Sequence, residues 1–307
     1  MTLALIIGTM IFKMFIMMSV GMIGSVTKLI TEEGNKAMTD VLLFIVTPIL
    51  ILVSYQVDFS KDKLQGLLLA IGLSFLSHII AMVIASIGVK KKNNTDYQVE
   101  RMGTIYSNCG FMGIPLLYAL FGAEGVFYVT AYLTVFNLFV WSHAVILMTG
   151  KVDKKGILSV FKSPNIIAII IGLILFVTGI RVPELILDPL KTITLVNTPL
   201  AMLVIGATLI QSNLLKMITK SRLYYITFLR LVVVPLFLII AFKILGLTGM
   251  VPTIILIATA CPVASTGTMF ALRFDKNSNY AAGLLSISTL MSIMTIPLMA
   301  IISEWIQ

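Results

Sequence analysis

Almost no residue in this chain has the makings of covalent chemistry, and the polar groups that remain gather in two runs whose prolines lie 147 residues apart. The first reads Ser107-Asn108-Cys109-Gly110-Phe111-Met112-Gly113-Ile114-Pro115-Leu116-Leu117, and the second Thr259-Ala260-Cys261-Pro262-Val263-Ala264-Ser265-Thr266-Gly267-Thr268. Each lies inside an otherwise apolar stretch. A proline there removes a backbone donor and clashes with the preceding turn, so neighbouring backbone groups must find partners in protein or a water-filled cavity. The chemistry this predicts is binding: a broken helix offers unpaired N–H groups and partial positive charge at one end, carbonyls at the other, and an anion can sit on the N–H groups. Catalysis would require more. Two histidines and two cysteines make up the chain's nitrogen and sulfur ligands, without the clustering of a metal site, and no nucleophile stands with a base. Cys109 and Cys261 read as small packing residues beside the breaks, no cofactor is implied, and an enzyme is not expected.

The elements that position these runs are membrane spans. The residues are 59% hydrophobic and 11% charged, with a mean hydropathy of +1.06, whereas soluble domains are about 25% charged. Ten apolar runs are long enough to cross a bilayer: 3–25, 38–55, 64–89, 102–120, 125–149, 164–180, 189–210, 222–245, 251–271 and 280–303. Lys13 and the length of the first run predict a retained helix rather than a cleaved leader. The basic residues are unevenly distributed. Lys28, Lys36, Lys90, Lys91, Lys92, Arg101, Lys151, Lys154, Lys155, Lys162, Lys216, Lys220, Arg222, Arg273 and Lys276 fall on one face, against Lys61, Lys63, Arg181, Lys191 and Lys243 on the other. Because Lys and Arg are retained on the cytoplasmic side, both termini are expected outside the cell. The net charge of +9 then reflects topology and contact with membrane lipids, not a nucleic-acid partner.

The chain also repeats itself. Thr47-Pro48 recurs as Thr198-Pro199, 151 residues on, and His78 falls 152 residues before Arg230. Five spans per half is an odd number, so residues 1–150 and 151–307 are expected to be two inverted five-helix repeats with helices four and nine as a crossing broken pair. Pro115 and Pro262 are expected to open the second half-helices.

The acidic residues all fall in loops or near span ends, which argues against a carboxylate-based sodium or proton site. Lys13, His78 and Arg230 are the basic groups at depth. Arg230 is expected either to support one broken helix through its carbonyls or to snorkel to the interface; His78 supports the other, carries a proton, or simply packs. Lys13 reads as a snorkelling or packing residue. Asn137 and His143 lie in helix five, with Asn137 placed to face the site. Ser286, Thr289, Ser292 and Thr295 in helix ten form a stripe that reads as close helix packing.

The run Asn108 to Leu117 resembles the fourth-helix signature of the auxin efflux carrier family, in which an Asn stands seven residues before the proline of a Gly-Ile-Pro-Leu turn. The resemblance continues through Phe136-Asn137, Thr198-Pro199-Leu200-Ala201, Gly206-Ala207 and Cys261-Pro262 to Phe270-Ala271-Leu272, and so covers essentially the whole chain. It implies the ten-helix crossover fold, all α, shared with bile-acid and sodium/proton transporters. Helices 1, 2, 6 and 7 would form a scaffold and helices 3, 4, 5, 8, 9 and 10 a transport domain, with elevator-type alternating access and commonly a homodimer in the cell membrane. The chain resembles the compact bacterial type, associated with malate, malonate and related organic anions. By motif, Asn108 would bind the substrate carboxylate, and the candidate substrate-binding set is Asn108, Cys109, Gly113, Ile114, Pro115, Asn137, Pro262, Val263, Ala264, Ser265 and Thr266. Where plant members place an Asp and a Lys one turn apart in helix three, this chain has Ser74 and His78, which join Arg230 as candidates for crossover support or coupling. No sodium dependence is expected; a proton- or sodium-coupled transporter of the same fold, or a membrane sensor, is the alternative.

Overall fold

The computed structural model describes residues 3–91, 96–151, 160–211 and 218–306; Lys92, Lys154, Lys155 and Lys216, counted above on the basic face, lie outside them. The described residues are helical apart from one isolated antiparallel bridge, Ser107 to Val263. In chain order the helices are α1 (Leu3–Val26), α2 (Glu32–Ser54), α3 (Lys61–Gly88), α4 (Tyr97–Ile105), α5 (109–121), α6 (123–149), α7 (Pro164–Thr178), α8 (Glu184–Thr194), α9 (Asn197–Gln211), α10 (Ser221–Ile244), α11 (Met250–Ala260), α12 (Thr266–Arg273) and α13 (Ser278–Ile306). Seven of the described helical stretches are long and apolar enough to cross a membrane, and α7 and α11 are shorter apolar helices. One stretch, Cys109–Thr149, bends at Gly122, whose φ of +60° and ψ of −147° a side chain would oppose, and this is where α5 turns back into α6.

Sequence dictates the faces. In α1, Ile7, Ile11, Met14 and Met18 are buried while Leu5, Phe12, Ile16, Val20 and Ile23 are exposed, as expected of a helix with one face on protein and the other on lipid. Small residues let helices approach where no aqueous hydrophobic effect drives them together. A Cβ on Gly21 would overlap the Leu203 carbonyl, and one on Gly206 the Met18 carbonyl, so α1 and α9 cross in backbone contact.

Three helices carry a π turn directly before an X-Pro step: Leu42–Val46 before Thr47-Pro48, Cys109–Gly113 before Ile114-Pro115, and Leu229–Val233 before Val234-Pro235. The wider turn accommodates the carbonyl that the ring would otherwise strike.

One expectation is corrected. The first break lies at 106–108, ahead of Pro115, whereas the second, 261–265, contains Pro262, so the two prolines are not equivalent points. Pro115 sits inside α5, its missing donor absorbed by the π turn, and Pro262 lies in the gap four residues before α12 begins, so neither opens a half-helix. The run 189–210 lies within one apolar stretch long enough to cross, Glu184–Gln211, in which α8 and α9 meet at a turn at Leu195 and Val196.

Candidate functional site

The two gaps meet edge to edge. The Asn108 N–H donates to the Pro262 carbonyl at 2.7 Å and the Ala264 N–H to the Tyr106 carbonyl at 3.0 Å, closing the bridge around Ser107 and Val263. The Val263 N–H donates to Ser288 Oγ of α13 at 3.0 Å, and Ser107 Oγ to the Tyr132 hydroxyl at 3.1 Å. Extended backbone buried at this depth is tolerable only with such pairing. Tyr106 reaches further, its hydroxyl donating to the Phe139 carbonyl at 3.0 Å and lying 2.9 Å from His143 Nδ1.

Four helix ends converge at the bridge. The carbonyl ends of α4 and α11 are held by one side chain: Arg230, fully buried, donates from Nη1 to the Thr104 and Ile105 carbonyls at 3.2 and 3.0 Å, from Nε to the Cys261 carbonyl at 3.2 Å, and from Nη2 to the Thr259 carbonyl. A cation at two helix C-termini is where the backbone dipoles favour it. Snorkelling is thereby overturned, and the expected division of labour is corrected, because Arg230 serves both broken helices. His78 serves neither carbonyl end. Its Nδ1 lies 2.8 Å from the Ser74 carbonyl, its ring packs among Tyr106, Tyr132, Phe136 and Phe139, and its buried Nε2 has no partner. Ser74 Oγ donates to the Ala70 carbonyl at 2.6 Å.

At the start of α5 the Met112 and Gly113 N–H groups bond the Asn108 carbonyl, and at the start of α12 the Gly267, Thr268 and Met269 N–H groups bond the Ala264 and Ser265 carbonyls, so the first N–H groups of each helix are the ones without an intrahelical acceptor. The two helix starts border a cavity of about 470 Å³ whose walls are α2, α5, α9, α12 and α13. Of the predicted binding residues, Asn108 and Ser265 line it. Asn108 is 4% exposed, and its side chain makes no capping bond to its own helix. Cys109, Ile114 and Pro115 are buried behind this wall, and Gly113 lies beside the second gap, where an added Cβ would make an ordinary 3.4 Å contact with Cys261 Sγ. Pro262, Val263 and Ala264 are buried in the bridge, and Thr266 Oγ1 is buried without a partner. Asn137 is not brought to the cavity; its amide donates to the Leu133 carbonyl of its own helix at 2.8 Å.

Sequence reasoning missed the opposite wall. Glu32, Asn35, Lys36, Thr39 and Asp40 of α2 and Thr208 of α9 line the cavity, as do Phe111, Thr268 and Thr289. The fourfold spacing of Glu32, Lys36 and Asp40 was a legible signal for one helix face. Thr289 belongs to the helix-ten stripe; there Ser292 does pack, 3.7 Å from Met112 Sδ, while Thr289 also borders the cavity. One acidic residue is deeply buried. Glu100, in the first turn of α4 and 1% exposed, accepts from Arg222 Nε and Nη2 at 2.9 and 2.7 Å and from the Tyr280 hydroxyl at 2.9 Å.

Comparison with known proteins agrees with this arrangement of apolar helices. A family model described as membrane transport protein matches residues 6–157 and 148–300. The uncharacterized transporter MJ1031 of Methanocaldococcus jannaschii is 22% identical over 299 residues, covering 92% of this chain and 94% of the relative. The uncharacterized transporter YfdV of Escherichia coli K12 is 25% identical over 155 residues, 50% of this chain and 48% of the relative. Matched through both halves and along nearly all of one relative, the chain is a multi-pass membrane protein and belongs to the membrane transport protein family, that of the auxin efflux carriers, as a transporter rather than an enzyme.

Proposed function

We propose that the protein is a secondary transporter of small organic carboxylate anions, built as ten spans in two inverted repeats and working by elevator-type alternating access without sodium. The observation that carries the reading is the meeting of the cavity with the crossing: Asn108 and the α12 start at Ser265 border the same 470 Å³ space, with Arg230 fixed behind them. Two helix N-termini and a neutral amide suit a carboxylate. Malate- and malonate-like acids are the substrates the family resemblance suggests.

Several contacts support the repeat. The two Thr-Pro steps lie together, with Thr47 Oγ1 donating to Asn197 Oδ1 at 3.2 Å. Gly21 abuts α9, and Gly172, 151 residues later, abuts Tyr55, itself 151 residues before Gly206. In this reading α1, α2, α7, α8 and α9 form the scaffold and the remaining helices the moving body. Glu32 and Lys36 of the cavity lining are exposed and lie beside the basic face, which supports reading this as an inward-open form with both termini outside the cell. Pairing into a homodimer in the cell membrane is the family-based part of the proposal.

Uptake of labelled malate, malonate and succinate into proteoliposomes, with and without a sodium gradient, tests the function. Saturable, sodium-independent flux is expected. Absence of flux for every acid, or a strict sodium requirement, overturns it.

A further inference from the structure

The α2 wall of the cavity holds an acceptor with nothing to accept. Asn35 is 7% exposed and lines the cavity. Both of its amide hydrogens are in use, with Nδ2 donating to Thr208 Oγ1 and to Gln211 Oε1, each at 3.0 Å. The orientation of the amide follows from its neighbour: the Thr208 hydroxyl proton goes to the Val204 carbonyl at 2.8 Å, so Oγ1 turns a lone pair toward Asn35 and requires a donor there. That leaves Asn35 Oδ1 buried with no partner among the described residues. A buried amide oxygen without a donor is costly, and such exceptions call for an explanation.

Its surroundings extend the pattern. Glu32 and Asp40, on the same helix and lining the same cavity, can only accept when ionised, and Lys36 between them is the one cationic side chain lining it. The α5 and α12 side has the opposite character, since helix N-termini present N–H donors. A molecule complementary to both walls carries acceptors at one end and a donor at the other. A plain dicarboxylate would set anionic oxygens against Asp40 and against the Asn35 oxygen.

The geometry points to Asn35 as a specificity-determining residue that accepts a hydrogen bond from a hydroxyl or ammonium group on an organic acid whose carboxylate lies at the crossing. This rests on the carboxylate reading above. A site built to hydrogen-bond a substrate group discriminates strongly against the analogue lacking it, because its own polar atom is then left unpaired.

The test compares matched acids on the purified full chain, by thermal shift and by competition for flux: propionate against lactate and alanine, succinate against malate and aspartate, butyrate against 4-hydroxybutyrate. In the wild type the donor-bearing member of at least one set is expected to bind about tenfold or more tightly than its parent acid. In Asn35→Leu the ratio should fall to about one, with the parent acid's affinity little changed. Asp40→Asn separates the two donors, lowering an ammonium preference and leaving a hydroxyl preference in place. Equal binding within every set, or a ratio that survives in Asn35→Leu, overturns the inference while leaving the carboxylate site standing. No binding by any acid overturns both. The wild-type comparison decides alone if Asn35→Leu does not fold.

Discussion

Ser107 and Val263 pair as a single antiparallel bridge at the point where two interrupted helices pass each other. Because both are buried, the bridge is closed to water, and the openings that face the cavity lie on either side of it, at Asn108 and Ser265. Thiol accessibility should follow that division. In a background with Cys109 and Cys261 replaced by Ser, Ser265→Cys and Thr268→Cys are expected to react with water-borne maleimide, and Val263→Cys and Ala264→Cys are not. Protection of Ser265→Cys by a transported acid would place that acid in the cavity; equal labelling at all four positions would contradict the bridge.

Asn108→Ala removes a polar group from the cavity wall without opening the core, and its N–H bond to the Pro262 carbonyl is a backbone bond that the substitution keeps. Loss of one hydrogen bond to a charged group corresponds to about ten- to a hundredfold in affinity. Transport in proteoliposomes should drop by that order with the melting temperature unchanged. Wild-type flux in this variant would remove Asn108 from the site.

Arg230→Met should be far more disruptive, because four carbonyls at two helix ends lose their donors at once. A buried acceptor left without its donor costs about 1–3 kcal/mol. Arg230→Lys keeps the charge but has three donors on one nitrogen in place of a planar fork, so it is expected to recover only part of the stability. Melting temperatures of the purified variants test the order wild type, Lys, Met.

Gly206→Ala and Gly21→Ala each force a methyl group into the backbone of the facing helix, which has no side-chain rotation to offer. Overpacking of this kind costs about 1–3 kcal/mol. Gly8→Ala in the same helix α1 is the control, since nothing lies within 4 Å of its added carbon. Thermal denaturation in detergent should rank Gly8→Ala with the wild type and the other two well below it.

Much of this was legible in the chain. Apolar runs located many of the helices because the bilayer fixes their length, and a guanidinium eight residues into such a run left two readings, a buried set of carbonyl partners or snorkelling to the interface. The first gap was misplaced by several residues, while the second falls at Pro262. A proline marks strain but not its remedy: at Pro115 a π turn absorbs the missing donor, and the chain leaves helical geometry only back at Tyr106 and Asn108, where tertiary pairing with Pro262 and Ala264 makes the extended backbone affordable. Asn35 and Asp40 were passed over because polar residues near a span end read as interface, and only packing against α9 and α13 turns that stretch into a cavity wall. That Arg230 holds both helix ends depends on contacts to Thr104 and Ile105, more than a hundred residues away, as well as to Thr259 and Cys261, and no local pattern records them.

The buried Arg230 also sets the electrical character of any movement of the crossing. Its guanidinium stays protonated in proteins, and its bonds to α4 and α11 oblige it to travel with them. Under the elevator mechanism proposed above, an empty carrier that shifts this body across the membrane would carry one positive charge with Arg230, a carrier loaded with a monocarboxylate none, and one loaded with a dicarboxylate one negative charge. At about 2.3 kcal/mol per charge per 100 mV, the membrane potential would then act on the return of the empty carrier for monoacids and on both legs, in the same sense, for diacids.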